Sequence, residues 1–87
     1  MASRFGGDEF MVFMPNINVE VAQQVAETVR QQVETHLFEM EGITLYPTVS
    51  IGVSGLKMDD TIASLFKRAD DALYLSKRTG RNKVSIK

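Results

Sequence analysis

The chain has no cysteine and no tryptophan, only two prolines, and no charge imbalance: ten Lys and Arg face eleven Asp and Glu over 87 residues. Without cysteine there is no disulfide staple and no thiolate zinc site, which permits a cytoplasmic setting. A formal charge of −1 is unlike the basic balance of a nucleic-acid-binding domain, so no nucleic-acid partner is expected. No apolar run approaches the ~18 residues of a membrane span, and no membrane contact is expected of this segment. Met1-Ala2-Ser3-Arg4 lacks the apolar core of a signal peptide. What is present is an ordinary globular composition, 44% hydrophobic, with room for one domain. A chain of this size buries only about 60–65% of its unfolded surface, so its stability margin is thin.

Phe5-Gly6-Gly7-Asp8-Glu9 reads as a tight turn, since adjacent glycines accept positive φ and Asp8 can bond its own backbone. Phe10 to Met14 is continuously apolar and stops at Pro15, the pattern of a strand buried on both faces. Asn18 is a candidate N-cap for a helix from Val19 to about Met40, with Ala22, Val25, Ala26, Val29, Val33 and Leu37 as its apolar stripe and Gly42 at its end. Leu45 to Val53 alternates as a strand. Leu45, Val49, Ile51 and Val53 form one face; Thr48, Ser50, Gly52 and Ser54 form a face of small residues on which something packs closely. Pro47 predicts an edge, a bulge or a late start. Asp59 or Asp60 can cap a second helix from about Thr61 to Thr79, with Ile62, Leu65, Phe66, Ala69 and Leu73 as its stripe. Lys77 and Arg78 suit its negative end, and Gly80 its C′ position. Val84 to Ile86 can form a last strand. Alternating strands and helices predict an α/β layer, an α+β sandwich of strand-helix-strand-helix-strand order.

Gly6-Gly7-Asp8-Glu9 carries the most chemistry. Glycine lets backbone N–H groups approach phosphate oxygens, and paired carboxylates suit Mg²⁺, a hard ion that shares its shell with substrate phosphates. An ordinary hairpin turn with solvated acids would read the same way.

The longer string Arg4-Phe5-Gly6-Gly7-Asp8-Glu9-Phe10 resembles the signature of the GGDEF family, the diguanylate cyclase domains. Val49-Ser50-Ile51-Gly52-Val53-Ser54 resembles that family's "SIGVS" strand, and Arg68-Ala69-Asp70-Asp71-Ala72-Leu73-Tyr74 its "ADxALY" helix. Lys77 followed by Gly80-Arg81-Asn82 resembles its "AKxxGRN" ending, with Ser76 where alanine is usual. The resemblance implies condensation of two GTP molecules into cyclic di-GMP, with pyrophosphate leaving and two domains facing each other. It makes Asp8 and Glu9 the catalytic and metal-binding acids, with Mg²⁺ or Mn²⁺ as the ion. Asp8 would help activate the attacking 3′-hydroxyl. Gly6 and Gly7 would lie against the nucleotide, Lys77 and Arg81 would hold the triphosphate, and Asp70 would be structural.

The resemblance also implies that the family's N-terminal half lies outside these 87 residues. That half carries the first strand with another metal-binding Asp, the Asn and Asp that read guanine, and the "RxxD" product-binding motif. Met1-Ala2-Ser3 does not look like the apolar strand that precedes the signature and reads as a scar of engineering or as the start of a natural truncation. The chain alone is then expected to lack cyclase activity. A non-catalytic nucleotide- or Mg²⁺-binding module and a self-associating folding fragment are the alternatives. In the family the first strand lies between the strands at Phe10–Met14 and Val49–Val53. Its place can be closed by direct pairing of those two strands, filled by a second copy in a homodimer or strand-swapped oligomer, or left partly disordered; the oligomer is the favoured outcome. His36, alone, reads as a surface residue. The methionines read as gap-filling core or termini, Lys67 to Asp71 as a solvated helix face, and Tyr74 gives no catalytic signal.

Overall fold

A computed structural model describes residues 2–5, 9–12, 14 and 17–87. The elements are β1 (Ala2–Phe5), β2 (Glu9–Val12), α1 (Val19–Thr35), β3 (Phe38–Met40), β4 (Ile43–Leu45), β5 (Ile51–Val53), α2 (Ile62–Arg78) and β6 (Val84–Ile86). The architecture is α+β, with more strands than the five-element order predicts.

The additional strands belong to two hairpins. β1 pairs antiparallel with β2, Ala2 opposite Val12 and Phe5 opposite Glu9. Ala2 and Ser3 therefore belong to a strand, although they lack the apolar character expected of the strand before the signature. The predicted strand to Met14 is seen as Glu9–Val12; Phe13, Pro15 and Asn16 lie outside the described residues. The second hairpin corrects the first helix. Asn18 caps α1 as predicted, its Oδ1 accepting the Val21 N–H at 2.9 Å, but the helix ends at Thr35 rather than near Met40. Met40 pairs with Ile43 across a two-residue turn. Glu41 and Gly42 both have positive φ, 53° and 83°, the requirement of the turn that matches strand twist. Gly42 is thus a hairpin glycine, not a helix terminator.

Pro47 does delay the second predicted strand. Residues 46–50 are irregular and β5 begins at Ile51. It runs parallel to β6, Ile51 opposite Val84 and Val53 opposite Ile86, with α2 as the connection. Successive side chains of a strand point to opposite faces, and the two helices divide them. Val53 packs with Ala22 and Ala26 of α1. Gly52 faces α2 so closely that a Cβ there would lie 2.2 Å from the Leu73 nitrogen and 2.3 Å from the Ala69 carbonyl oxygen. The small-residue face thus receives a helix backbone.

Ser76 exploits that contact. It is fully buried, donates to the Ile51 carbonyl at 2.9 Å and lies 2.7 Å from the Ser85 hydroxyl. Alanine at this position would fit the space and leave both partners without this bond. Among the described residues β2 pairs with β1 and not with β5, so direct closure between those strands is not seen. α1 remains apolar on a second face, where Val21, Val25 and Val29 are 41%, 42% and 44% exposed.

The start of α2 also differs in detail. Thr61 is its N-cap, in a reciprocal capping box with Ser64, not Asp59 or Asp60. Asp60 instead accepts from the Lys57 N–H, the Ser64 hydroxyl and the Arg68 guanidinium. Arg68 also donates to the Gly55 carbonyl at 2.6 Å. The Asp60 side chain is 5% exposed, and the Arg68 guanidinium holds its carboxyl well below the usual carboxylate range. Lys67 and Asp71 form the predicted exposed pair at 3.0 Å, but Arg68 is structural rather than solvated. His36 is exposed, caps the end of α1 and meets Phe38 edge-on at 4.6 Å.

Candidate functional site

The six site residues fall at two places in the chain. Gly6, Gly7 and Asp8 join β1 to β2 and lie outside the described residues. Glu9 opens β2 opposite Phe5. Two adjacent carboxylates fit the donor chemistry of Mg²⁺ or Mn²⁺, which take hard oxygen ligands and complete their shells with water and phosphate. Among the described residues no group of three or more His, Cys, Asp or Glu could hold a metal.

Lys77 and Arg81 sit at the other place, the C-terminus of α2. Thr79 is the C-cap and bonds back to the Leu75 carbonyl at 3.0 Å. Gly80 follows at φ +121°, and the Arg81 N–H reaches the Ser76 carbonyl at 2.9 Å. This six-to-one bond over a left-handed glycine is a Schellman motif, as Gly80 predicted. It turns the chain back at once, so Arg81 emerges beside the last helical turn that carries Lys77. Lys77 is half-buried and Arg81 exposed. The Lys83 ammonium donates to the Thr79 carbonyl, which answers part of the helix end's negative potential. Cations on such a segment can present several N–H donors to phosphate oxygens.

The turn has supports that the sequence reading missed. Asn82 donates its backbone N–H to the Ser50 hydroxyl at 3.1 Å. Its side-chain oxygen accepts from Arg30 of α1 at 3.0 Å, and its side-chain nitrogen donates to Glu34 at 3.0 Å. Arg30 also bonds Glu27 and Glu34. These contacts push Arg30 above its ordinary value and hold both carboxylates below theirs. The spacing of Glu27, Arg30 and Glu34 signals the helix-face pairs; the link to Asn82, 52 residues from Arg30, has no local signal. Asp70, expected to be structural, lies on an exposed part of α2.

A model of the diguanylate cyclase GGDEF domain matches residues 1–83. Diguanylate cyclase A of Treponema denticola is 42% identical over 86 residues, which are 98% of this chain and 23% of the relative. Diguanylate cyclase DgcM of Escherichia coli K12 is 42% identical over 81 residues, covering 93% of this chain and 19% of the relative. The chain thus spans about a fifth of the length of these relatives. Among solved structures, the GGDEF domain of DgcB from Caulobacter crescentus, in complex with c-di-GMP, superposes with a TM-score of 0.92 at 34% identity, covering 98% of this chain and 52% of that one. The active GGEEF domain of a Vibrio cholerae diguanylate cyclase gives 0.84 at 38% identity, with coverage of 98% and 54%.

Proposed function

This chain belongs to the diguanylate cyclase GGDEF domain family, and on that premise we propose that it is the phosphate- and metal-holding part of a domain that condenses two GTP molecules into cyclic di-GMP. Gly6 and Gly7 lie against the nucleotide. Asp8 and Glu9 hold Mg²⁺ or Mn²⁺, whose charge offsets that of the phosphates. Asp8 also helps to activate the attacking 3′-hydroxyl, and Lys77 and Arg81 hold the triphosphate. GTP as substrate goes with a cytoplasmic setting. The observation that carries the reading is the Schellman turn that brings Arg81 back beside the helical turn of Lys77.

These 87 residues form no cyclic di-GMP alone. The chain spans 52% of the solved DgcB domain, so much of the surface that orients a nucleotide is contributed from beyond it, and positioning is a large share of such catalysis. Incubation with GTP and Mg²⁺, followed by chromatography for cyclic di-GMP, tests this. No product is expected; product that Asp8→Ala abolishes would overturn the inactivity and keep the site.

One observation favours self-association of the isolated chain. Val12, Val21, Val25 and Val29 are 60%, 41%, 42% and 44% exposed, and such apolar surface seeks cover. A homodimer or strand-swapped oligomer supplies it. Light scattering at high concentration is expected to give more than the monomer mass, and a monomer would contradict this.

A further inference from the structure

We propose that Arg30, on the opposite helix, is a positioning residue that fixes Arg81 through Asn82. Arg81 and Asn82 are consecutive non-glycine residues at positive φ, 61° and 51°, a conformation that L-residues adopt at a cost and keep only when their surroundings impose it. The restraints come from three elements. The Arg81 N–H is held by the Ser76 carbonyl of α2 at 2.9 Å. The Asn82 N–H is held by the Ser50 hydroxyl beside β5 at 3.1 Å. The Asn82 side chain is held by α1, in a closed ring of Arg30 to Asn82 at 3.0 Å, Asn82 to Glu34 at 3.0 Å and Arg30 to Glu34 at 2.6 Å.

Arg30 is not itself suited to bind phosphate. Its guanidinium is 15% exposed and engaged by Glu27 and Glu34, so two carboxylates already answer its charge. Its remaining contact is directed at Asn82, the residue after Arg81. Loss of Arg30 removes an orienting donor from Asn82 and frees the strained pair to relax, which moves Arg81 from its place at the end of α2. Two side chains thereby connect α1 to the cation cluster without touching phosphate. The inference rests on the phosphate role given above to Lys77 and Arg81.

The test is a double-mutant cycle on the 87-residue chain with inorganic tripolyphosphate and Mg²⁺ as the probe, binding read by NMR titration. Arg81→Ala is expected to weaken binding about tenfold, the scale of one charge-assisted hydrogen bond. Arg30→Gln is expected to weaken it roughly three- to tenfold, and the double variant to bind no more weakly than Arg81→Ala alone, because the two act as one unit. Arg30→Lys, which keeps one donor, is expected to recover part of the loss. The amide–α couplings of Arg81 and Asn82 are expected to lose their positive-φ character in Arg30→Gln, a change that general destabilisation of α1 would not confine to this pair. Asn82→Ala breaks the same link with the ion pairs of α1 left in place, and is expected to give the same non-additivity should Arg30→Gln fail to fold. A multiplicative double variant, or unchanged affinity in folded Arg30→Gln and Asn82→Ala, overturns the positioning role alone. Absence of tripolyphosphate binding, or full binding by Arg81→Ala, overturns the phosphate reading and the proposal with it.

Discussion

α2 and α1 lie on opposite faces of the β5–β6 pair and are held there differently. α2 meets the strand backbone to backbone at Gly52, buries Ser76 in a hydrogen bond to it, and is closed by a capping box at one end and a Schellman turn at the other. α1 meets the sheet through Ala22 and Ala26 and leaves Val21, Val25 and Val29 over 40% exposed. α2 is thus the more firmly fixed helix, although its Ile62 and Tyr74 are 86% and 64% exposed, whereas the inner face of α1 is held on β5 by apolar contact. The candidate phosphate cations are at the end of α2. A site that must hold charges in fixed places is built on the helix whose position is most constrained.

Substitutions can break that contrast. The largest effect is expected from Gly52→Val. The added side chain would enter the backbone of α2, and a loss of about 3 kcal/mol, the upper end of the usual range for overpacking, should unfold so small a chain or nearly so; urea titration measures it. Ser76→Ala comes next. It keeps the packing but strips the Ile51 carbonyl and the Ser85 hydroxyl of a buried partner, a loss of about 1–2 kcal/mol by the same titration.

The ion pair under α2 gives a pH dependence. The carboxyl of Asp60 is lowered by Arg68, so its contribution is fully present above the ordinary carboxylate pKa and is lost as pH falls through the folded value. Acid titration by circular dichroism should show stability falling below about pH 4, where an unperturbed aspartate is about half protonated. Asp60→Asn should lower stability at neutral pH and flatten that acid limb. On the other side, Val25→Lys should change monomer stability least, within about 0.5 kcal/mol as for other surface positions. Its effect should instead be to reduce any association seen by light scattering.

Much of the α2 side was readable in the sequence. The alternation ending at Val53 announced a face of small residues, and Gly80 after Lys77 and Arg78 announced the end of α2 with its turn. Other features lacked a local signal. Leu37, Phe38 and Met40 continue the spacing of α1 well enough to pass for helix, and Glu41-Gly42 is a weaker hairpin cue than Asn-Gly or Asp-Gly. Asp59, Asp60 and Thr61 are three successive cap formers; only the geometry shows that Thr61 caps while Asp60 binds Arg68, eight residues on. The Arg30–Asn82 link joins segments 52 residues apart, beyond any periodicity. The acids of the signature owe their roles to family resemblance, because two carboxylates on a glycine turn also describe an ordinary hairpin.

The proposed function requires the end of α2 and the signature hairpin to act as one phosphate- and metal-holding surface. Titration of the chain with GTP and Mg²⁺, followed through its amide NMR signals, tests this most directly. The prediction is that the shifts concentrate at residues 77–82 and at residues 6–9, and that Lys77→Ala or Arg81→Ala removes both sets together. Shifts confined to the exposed side of α1, or shifts at the hairpin that survive Lys77→Ala and Arg81→Ala, would contradict it.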